Sequence, residues 1–500
     1  MADGSRLCAG ALLLVLAACG VRAGETVRID SGRLKGVSAG GVTSFKGIPY
    51  AAPPVGPLRW RPPAPPIPWT GIRDASRYGA ICMQVPSKDN GVGPGPASED
   101  CLTLNLFRPT WSLRRRLPVM VWIHGGGLVN GSGTAALYDG AALARQGVLL
   151  VTLNYRLGRF GFFAHPALTA EAGGKVDIAN YGLMDQMAAL RWVRRNVAAF
   201  GGDPGNVTIF GESSGGQSVN RLMMIPANRG LFRRAIVESG LGRERGQSLA
   251  QAEADGRAFA AKLGVTDDDP AALRAIPAQA IVAGGDLDIF TGQAPILDGR
   301  MLKEDPEPAF AAGRVMRIPY LAGSNSLELP SFYLSPKLRA LNRLNAEQTA
   351  AAIKGYGSRL AYDDHAGADV IFGEPARALL RDQARRGAPA WLYRFSVTPA
   401  AAPKEFKGAF HASDRQYVFQ TLNASPWPTD ARDAALARTI SAYWVAFART
   451  GDPNGPGRPR WPRYDARDRL LNFTNDGPVA MTTPDGAALD AIAASYESLK

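Results

Sequence analysis

The chain has 500 residues, 46% of them hydrophobic and 20% charged, a balance that builds a large buried core and excludes collagen-like, coiled-coil and wholly disordered architectures. Glycine (56) and proline (37) make up nearly a fifth of it without any period, which points to a fold whose loops carry much of the function. Lysine and arginine outnumber aspartate and glutamate 57 to 44, but the excess is arginine scattered along the chain, with no basic tail and no aromatic-basic signature, so a solvated surface accounts for it and nucleic acid is not the expected partner.

Residues 1–23 carry Arg6 in a short head, an apolar stretch from Leu7 to Ala18, and then small residues. This is the pattern of a secretory signal peptide, and no apolar run reaches the 18 residues a membrane-spanning helix needs. Two cleavage sites compete. Leu16-Ala17-Ala18-Cys19 resembles a bacterial lipobox, which would leave a lipidated Cys19 as the first mature residue, whereas Val21-Arg22-Ala23 resembles an ordinary small-x-small site. Either predicts an exported protein, secreted, periplasmic or lipid-anchored, that touches a membrane only through Cys19. The body then holds Cys82 and Cys101. An even pair in an exported chain reads as one disulfide, with a pair of free thiols as the alternative; closing the 18 residues between them would restrict the unfolded chain by about 3 kcal/mol.

The stretch Ala51–Pro68 holds eight prolines and is expected as an irregular surface wrap. Strands are expected at Val119–Ile123, Val148–Leu153, Val207–Phe210, Ala235–Glu238, Ile318–Ala322 and Trp391–Val397. The clearest helix between them is Leu183–Val197, with Leu183, Met187, Leu190, Val193 and Val197 on one face. Strands separated by helical crossovers imply a mainly parallel sheet covered on both faces, with its site at the carboxyl ends of the strands. Residues 240–310 and 330–385 are alanine-rich and helical in pattern, as insertions or caps over the sheet would be. No linker is long or polar enough to divide the chain, so residues 24–500 are expected to form one domain.

The chemistry follows strand ends. Gly211-Glu212-Ser213-Ser214-Gly215-Gly216 comes directly after an expected strand and before a helix expected to begin near Gly216, the setting of a nucleophile elbow in which flanking glycines permit a turn too tight for side chains. His124-Gly125-Gly126-Gly127 follows another strand; its backbone N–H groups, with that of Ser214, would form an oxyanion hole. A phosphate loop is the rival reading, but no Lys-Ser/Thr follows. A serine hydroxyl needs a base, and the base needs an acid to orient it. Of the four histidines, His124 belongs to the glycine loop and His165 precedes the serine in a fold that expects the order serine, acid, histidine. His365 lies in the polar run Tyr362-Asp363-Asp364-His365 and reads as a solvated surface residue. His411, across a loop from the strand at Trp391–Val397, is the base of choice, and Glu328, just beyond the strand at Ile318–Ala322, is the acid.

With these residues in view the sequence resembles the type-B carboxylesterases, the family of cholinesterases and bacterial para-nitrobenzyl esterases. The resemblance runs from Phe45-Lys46-Gly47-Ile48-Pro49-Tyr50 through Ser98-Glu99-Asp100-Cys101-Leu102 to the stretch Trp444–Asn454. It implies an α/β-hydrolase fold and ester hydrolysis without metal or organic cofactor. It implies Ser213 as nucleophile, Glu328 as acid, His411 as base, and Gly126, Gly127 and Ser214 as oxyanion donors. By the same resemblance Cys82 and Cys101 pair, Arg59 with Glu99 and Arg156 with Asp185 form architectural ion pairs, and Glu212 and Ser239 sit beside the triad, where Glu212 would bias the charge of the histidine. Three departures stand out. Ser214 replaces the usual alanine, which is expected to alter tuning without loss of function. Leu327 and Leu329 flank the acid where the family has aspartate and glycine. The span Met83–Asp100 has no aromatic residue, which removes the cation-π argument for a choline ester.

Overall fold

The computed structural model describes residues 25–85, 91–111, 116–285, 295–329 and 344–497. The signal peptide and Cys19 therefore lie outside the described residues. A sheet of eleven strands is built from β1 (Val37–Ala39), β2 (Val42–Pro49), β3 (Thr103–Pro109), β4 (Leu117–Ile123), β5 (Leu149–Leu153), β6 (Gly202–Glu212), β7 (Arg234–Glu238), β8 (Tyr320–Asn325), β9 (Ala390–Phe395), β10 (Arg469–Thr474) and β11 (Gly477–Thr482). Their spatial order is β11-β10-β9-β8-β7-β6-β4-β5-β3-β2-β1. The strands from β10 through β5 in that order pair in parallel, and antiparallel strands extend the sheet at both edges.

The middle strands read as unbroken apolar runs because both faces are buried, as parallel strands flanked by helices must be. The two-residue alternation then divides their side chains between two cores. Val119, Val121, Ile123, Val151, Val207, Ile209 and Val237 enter one, and Met120, Trp122, Leu150, Phe210, Ile236 and Trp391 enter the other. The first core is closed by helices α1 (Tyr181–Asn196) and α2 (Ser214–Met224), through Leu183, Leu190, Val193, Val219 and Leu222. The second is closed by the helix Ala431–Thr450, through Ile440, Trp444 and Phe447. No helix among the described residues is long and apolar enough to cross a membrane.

The expected strands are all present, with boundaries shifted by a few residues. One boundary is sharpened and one expectation needs correction. The helix after the serine begins at Ser214, two residues before Gly216. A Cβ on Gly216 would stand 2.9 Å from the Cα of Gly240, so close packing of backbones, and not a loop, is what places glycine there. His365 is not a freely solvated side chain: it sits half-buried on the helix Arg359–Ala368 with its ring stacked on Tyr356, centroids 6.0 Å apart.

Register brings the strand ends together. Glu212 at the end of β6 pairs with Glu238 at the end of β7, and Glu238 with Gly323 in β8. Ser213, Ser239 and, after two further residues of turn, Glu328 consequently emerge side by side at one edge of the sheet.

Candidate active site

Ser213 joins β6 to α2 at φ 54°, ψ −124°, a conformation that costs a non-glycine residue about 1–3 kcal/mol and survives only where the surroundings enforce it. Here its N–H donates to Glu238 O at 2.8 Å and its carbonyl accepts from Gln217 N at 2.9 Å. A Cβ on Gly215 would lie 2.1 Å from Ile123 O, and one on Gly211 would lie 2.6 Å from the carbonyl carbon of Gly215, so the turn closes only with glycine at both places. Ser239 and Glu328 also have positive φ, 46° and 47°. Three neighbouring strand ends thus carry one strained residue each.

Glu328 is buried and fully engaged. Its Oε1 accepts from the Ser239 hydroxyl at 2.6 Å and from Asn325 N at 2.7 Å, and its Oε2 accepts from His411 Nδ1 at 2.5 Å. The backbone repeats the link, because His411 N donates to Glu328 O at 2.7 Å and Glu328 N donates to Ala409 O at 3.1 Å. The two residues are therefore held together twice, which puts a proton on Nδ1 and leaves Nε2 beside Glu212, the residue before the serine. The Ser213 hydroxyl has no hydrogen-bond partner among the described residues; in a hydrolase free of substrate the serine–histidine contact is commonly long and tightens in the Michaelis complex.

His411 Nε2 stands 3.2 Å from Glu212 Oε1, and Arg415 Nε stands 3.8 Å from Glu212 Oε2. Burial works against the imidazolium, but the charges of Glu212 and Glu328 and the Glu328 hydrogen bond outweigh it and push the His411 pKa up to about 9. Burial pushes the Glu212 carboxyl up to about 7, against the pull of Arg415 and His411. The two groups form a coupled pair. Phe372 lies over the imidazole, ring centroids 4.6 Å apart and 27° from parallel. Leu241, Leu329 and Ile371 pack with Phe372, so one of the leucines that depart from the family pattern helps to hold this ring.

The glycine loop lies against the elbow. A Cβ on Gly125 would come within 2.7 Å of Glu212 O and 3.2 Å of Ser213 Cβ, and Gly126 and Gly127 take φ of 100° and 64°. The remaining sequence-predicted pairs also form. Cys82 and Cys101 are joined by a disulfide. Arg59 grips Glu99 through Nε and Nη2 at 2.7 and 2.5 Å, and Arg156 grips Asp185 likewise at 2.8 Å each. Sequence reasoning missed Arg415, Phe372 and two buried carboxyls behind the site. Glu238 accepts from Trp444 Nε1 at 2.7 Å and Asp414 from the Tyr393 hydroxyl at 2.9 Å, and burial raises the pKa of both. Glu238 and Asp414 were within reach, since each adjoins a residue already singled out or follows it by one turn, whereas nothing local marks Phe372.

Residues 23–487 match the model of the carboxylesterase family. The para-nitrobenzyl esterase of Bacillus subtilis (strain 168) is 39% identical over 474 residues, covering 89% of this chain and 94% of the relative. The fumonisin B1 esterase of Sphingopyxis macrogoltabida is 37% identical over 466 residues, covering 89% and 85%. A solved PNB esterase structure superposes with a TM-score of 0.82 at 35% identity, over 94% of this chain and 99% of the other.

Proposed function

Because the chain belongs to the carboxylesterase family, we propose that its hydrolysis of carboxylic esters runs through an acyl-enzyme on Ser213, with His411 as general base and acid and Glu328 orienting it. His411 Nε2 takes the Ser213 proton as Oγ attacks the ester carbonyl. The oxyanion is received by the N–H groups of Gly126, Gly127 and Ser214, donors of a kind worth about 3–4 kcal/mol each. The proton passes to the alcohol, which leaves, and a water deprotonated by His411 then releases the acid and restores the serine. The observation that carries this reading is the imidazole held by Glu328 at 2.5 Å on one side of a strained serine turn.

Because the base must be neutral and its pKa is pushed up to about 9, kcat/KM is expected to rise with pH from neutral into the alkaline range. The deciding experiment compares the wild type with Ser213→Ala on p-nitrophenyl esters from acetate to palmitate. A loss of roughly 10³-fold or more, with stoichiometric fluorophosphonate labelling of the wild type alone, is the expected result. Undiminished turnover in the variant rejects the assignment. Residues 240–310 and 330–385 are proposed to shape the acyl and alcohol pockets, a reading supported by the placement of Phe372 beside His411 with Leu241 packed behind it. Export by the leader at residues 1–23 is proposed as well, and the intact mass of the mature protein distinguishes a lipidated Cys19 from cleavage after Ala23.

A further inference from the structure

Resting on the roles proposed above for Ser213 and the loop amides, we infer that the side chain of Ser214, and not only its N–H, is a positioning element that sets the oxyanion loop. Ser214 is 3% exposed, and its Oγ accepts a hydrogen bond from Leu128 N at 3.1 Å. Leu128 is the last of three consecutive residues in the left-handed region: Gly126 at φ 100°, Gly127 at 64° and Leu128 itself at 64°. Two are glycines and adopt it freely, but Leu128 carries a side chain that is 1% exposed, so its backbone is strained and stays in place only because it is gripped. The grip is double. The Ser214 hydroxyl takes the N–H, and the carbonyl accepts from Gly158 N at 2.7 Å.

The start of the loop is anchored through the same neighbourhood. The Tyr155 hydroxyl donates to His124 O at 2.8 Å, its ring stacks on the His124 ring at 4.4 Å, and the Ser214 hydroxyl borders the Tyr155 phenol. The nucleophile's own neighbour therefore touches the end of the glycine loop directly and its start only through Tyr155. Since Ser214 is the first residue of α2, any movement of the loop relative to the elbow must break or stretch its hydroxyl contact. An alanine there would leave the N–H of Leu128 without this acceptor in a site closed to solvent, and the strained residue would relax toward another conformation. The two loop amides would then swing away from the position of the oxyanion while the Ser214 N–H stayed. That is a cost felt in the transition state and not in ester binding.

The test is kinetic. Ser214→Ala and Ser214→Thr are compared with the wild type on p-nitrophenyl butyrate, and the affinity of a trifluoromethyl ketone is measured in parallel, because its carbonyl takes Ser213 Oγ and its oxygen becomes the oxyanion. In Ser214→Ala, kcat and ketone affinity are expected to fall together by about tenfold, less than the 10²–10³ of deleting a donor outright, with KM and the pH midpoint unchanged. Ser214→Thr, which keeps the acceptor oxygen, is expected to recover most of the loss. A folded Ser214→Ala with kcat within twofold of the wild type overturns the inference whatever the threonine variant does, and so does a fall in kcat with undiminished ketone affinity. Ser213→Ala run alongside separates the two levels: if it still turns over, the nucleophile assignment has failed, whereas its inactivity with normal Ser214→Ala rates removes only the role of the hydroxyl.

Discussion

At the scale of single residues the site turns on how much charge surrounds His411. Glu328 is fixed by three hydrogen bonds and acts as a constant, but Glu212 has an Oε1 that accepts none, 3.2 Å from the imidazole Nε2. It holds the imidazolium by charge alone, in the protonation state that cannot act as base. In the proposed mechanism the same attraction helps once the proton has moved from Ser213 to Nε2, since the imidazolium then forms beside a carboxylate. Glu212→Gln separates these effects. Removing the carboxylate withdraws the largest influence raising the histidine pKa, so the acid limb of the pH–rate profile moves to lower pH. On the high-pH plateau kcat is expected to fall by about tenfold, or about 1.4 kcal/mol of lost transition-state stabilisation. Steady-state rates from pH 5 to 10 check both, and an unmoved midpoint would show that Glu328 alone governs the base.

Among the elements, the π-helical turn Asp369–Gly373 has the most direct bearing on the chemistry. It interrupts the passage from the helix Arg359–Ala368 to the helix Glu374–Arg385, and such turns recur at functional sites because one extra residue re-aims a side chain. Here it aims Phe372 flat onto the imidazole. Phe372→Leu keeps an apolar side chain and removes the flat face; aromatic pairs are worth about 0.5–1.5 kcal/mol beyond burial, so kcat is expected to fall two- to tenfold with little change in KM. Comparison of kcat, KM and melting temperature checks it, and an unchanged kcat would mean that the Glu328 hydrogen bond orients the ring unaided. This element also marks where sequence reading stops. The buried strands were legible because both faces are apolar, and Ser213, Glu328 and His411 because a glycine turn and chain order name them. The edge strand Gly477–Thr482, with no buried residue, has no such run, and Phe372 reaches the site by tertiary packing from a stretch whose local pattern shows only a helix. The tight start of α2 follows from the same packing: the helix-breaking tendency of Gly215 and Gly216 is overridden by strand ends that leave room for nothing larger.

For the whole molecule, some of the arginines are structural, with Arg59, Arg108, Arg156, Arg221 and Arg377 buried. Arg243 shows this most clearly. It bonds Glu374 through Nε and Nη2 and Glu307 through Nη1 at 2.6 Å, and lies over the Tyr496 ring at 4.3 Å, tying together segments that are 64 to 253 residues away in the chain. All three charged groups are at least 90% buried as side chains. A buried pair adds little net stability over an apolar replacement, but removing one partner strands the other, at about 3–5 kcal/mol. Arg243→Met strands the Glu374 carboxylate, whereas Glu307 keeps Arg245 Nη2 at 3.1 Å. Burial already raises the Glu374 pKa, with Arg243 opposing it, so losing the arginine raises it further. A carboxyl with a folded-state pKa above its unfolded value stabilises the fold below the unfolded pKa and loses that contribution as pH rises through the folded one. The variant should therefore be destabilised by roughly 3–5 kcal/mol at pH 8, and the deficit should narrow as pH falls toward 5, as Glu374 takes up a proton. An exposed pair such as Arg314 with Glu304 is the control: Arg314→Met is expected to change stability little, and high salt should reduce even that. Denaturant unfolding of both variants at pH 8 and pH 5.5 reads the difference, and a deficit for Arg243→Met that stays constant with pH would show that its loss acts through packing against Tyr496 and not through stranded charge.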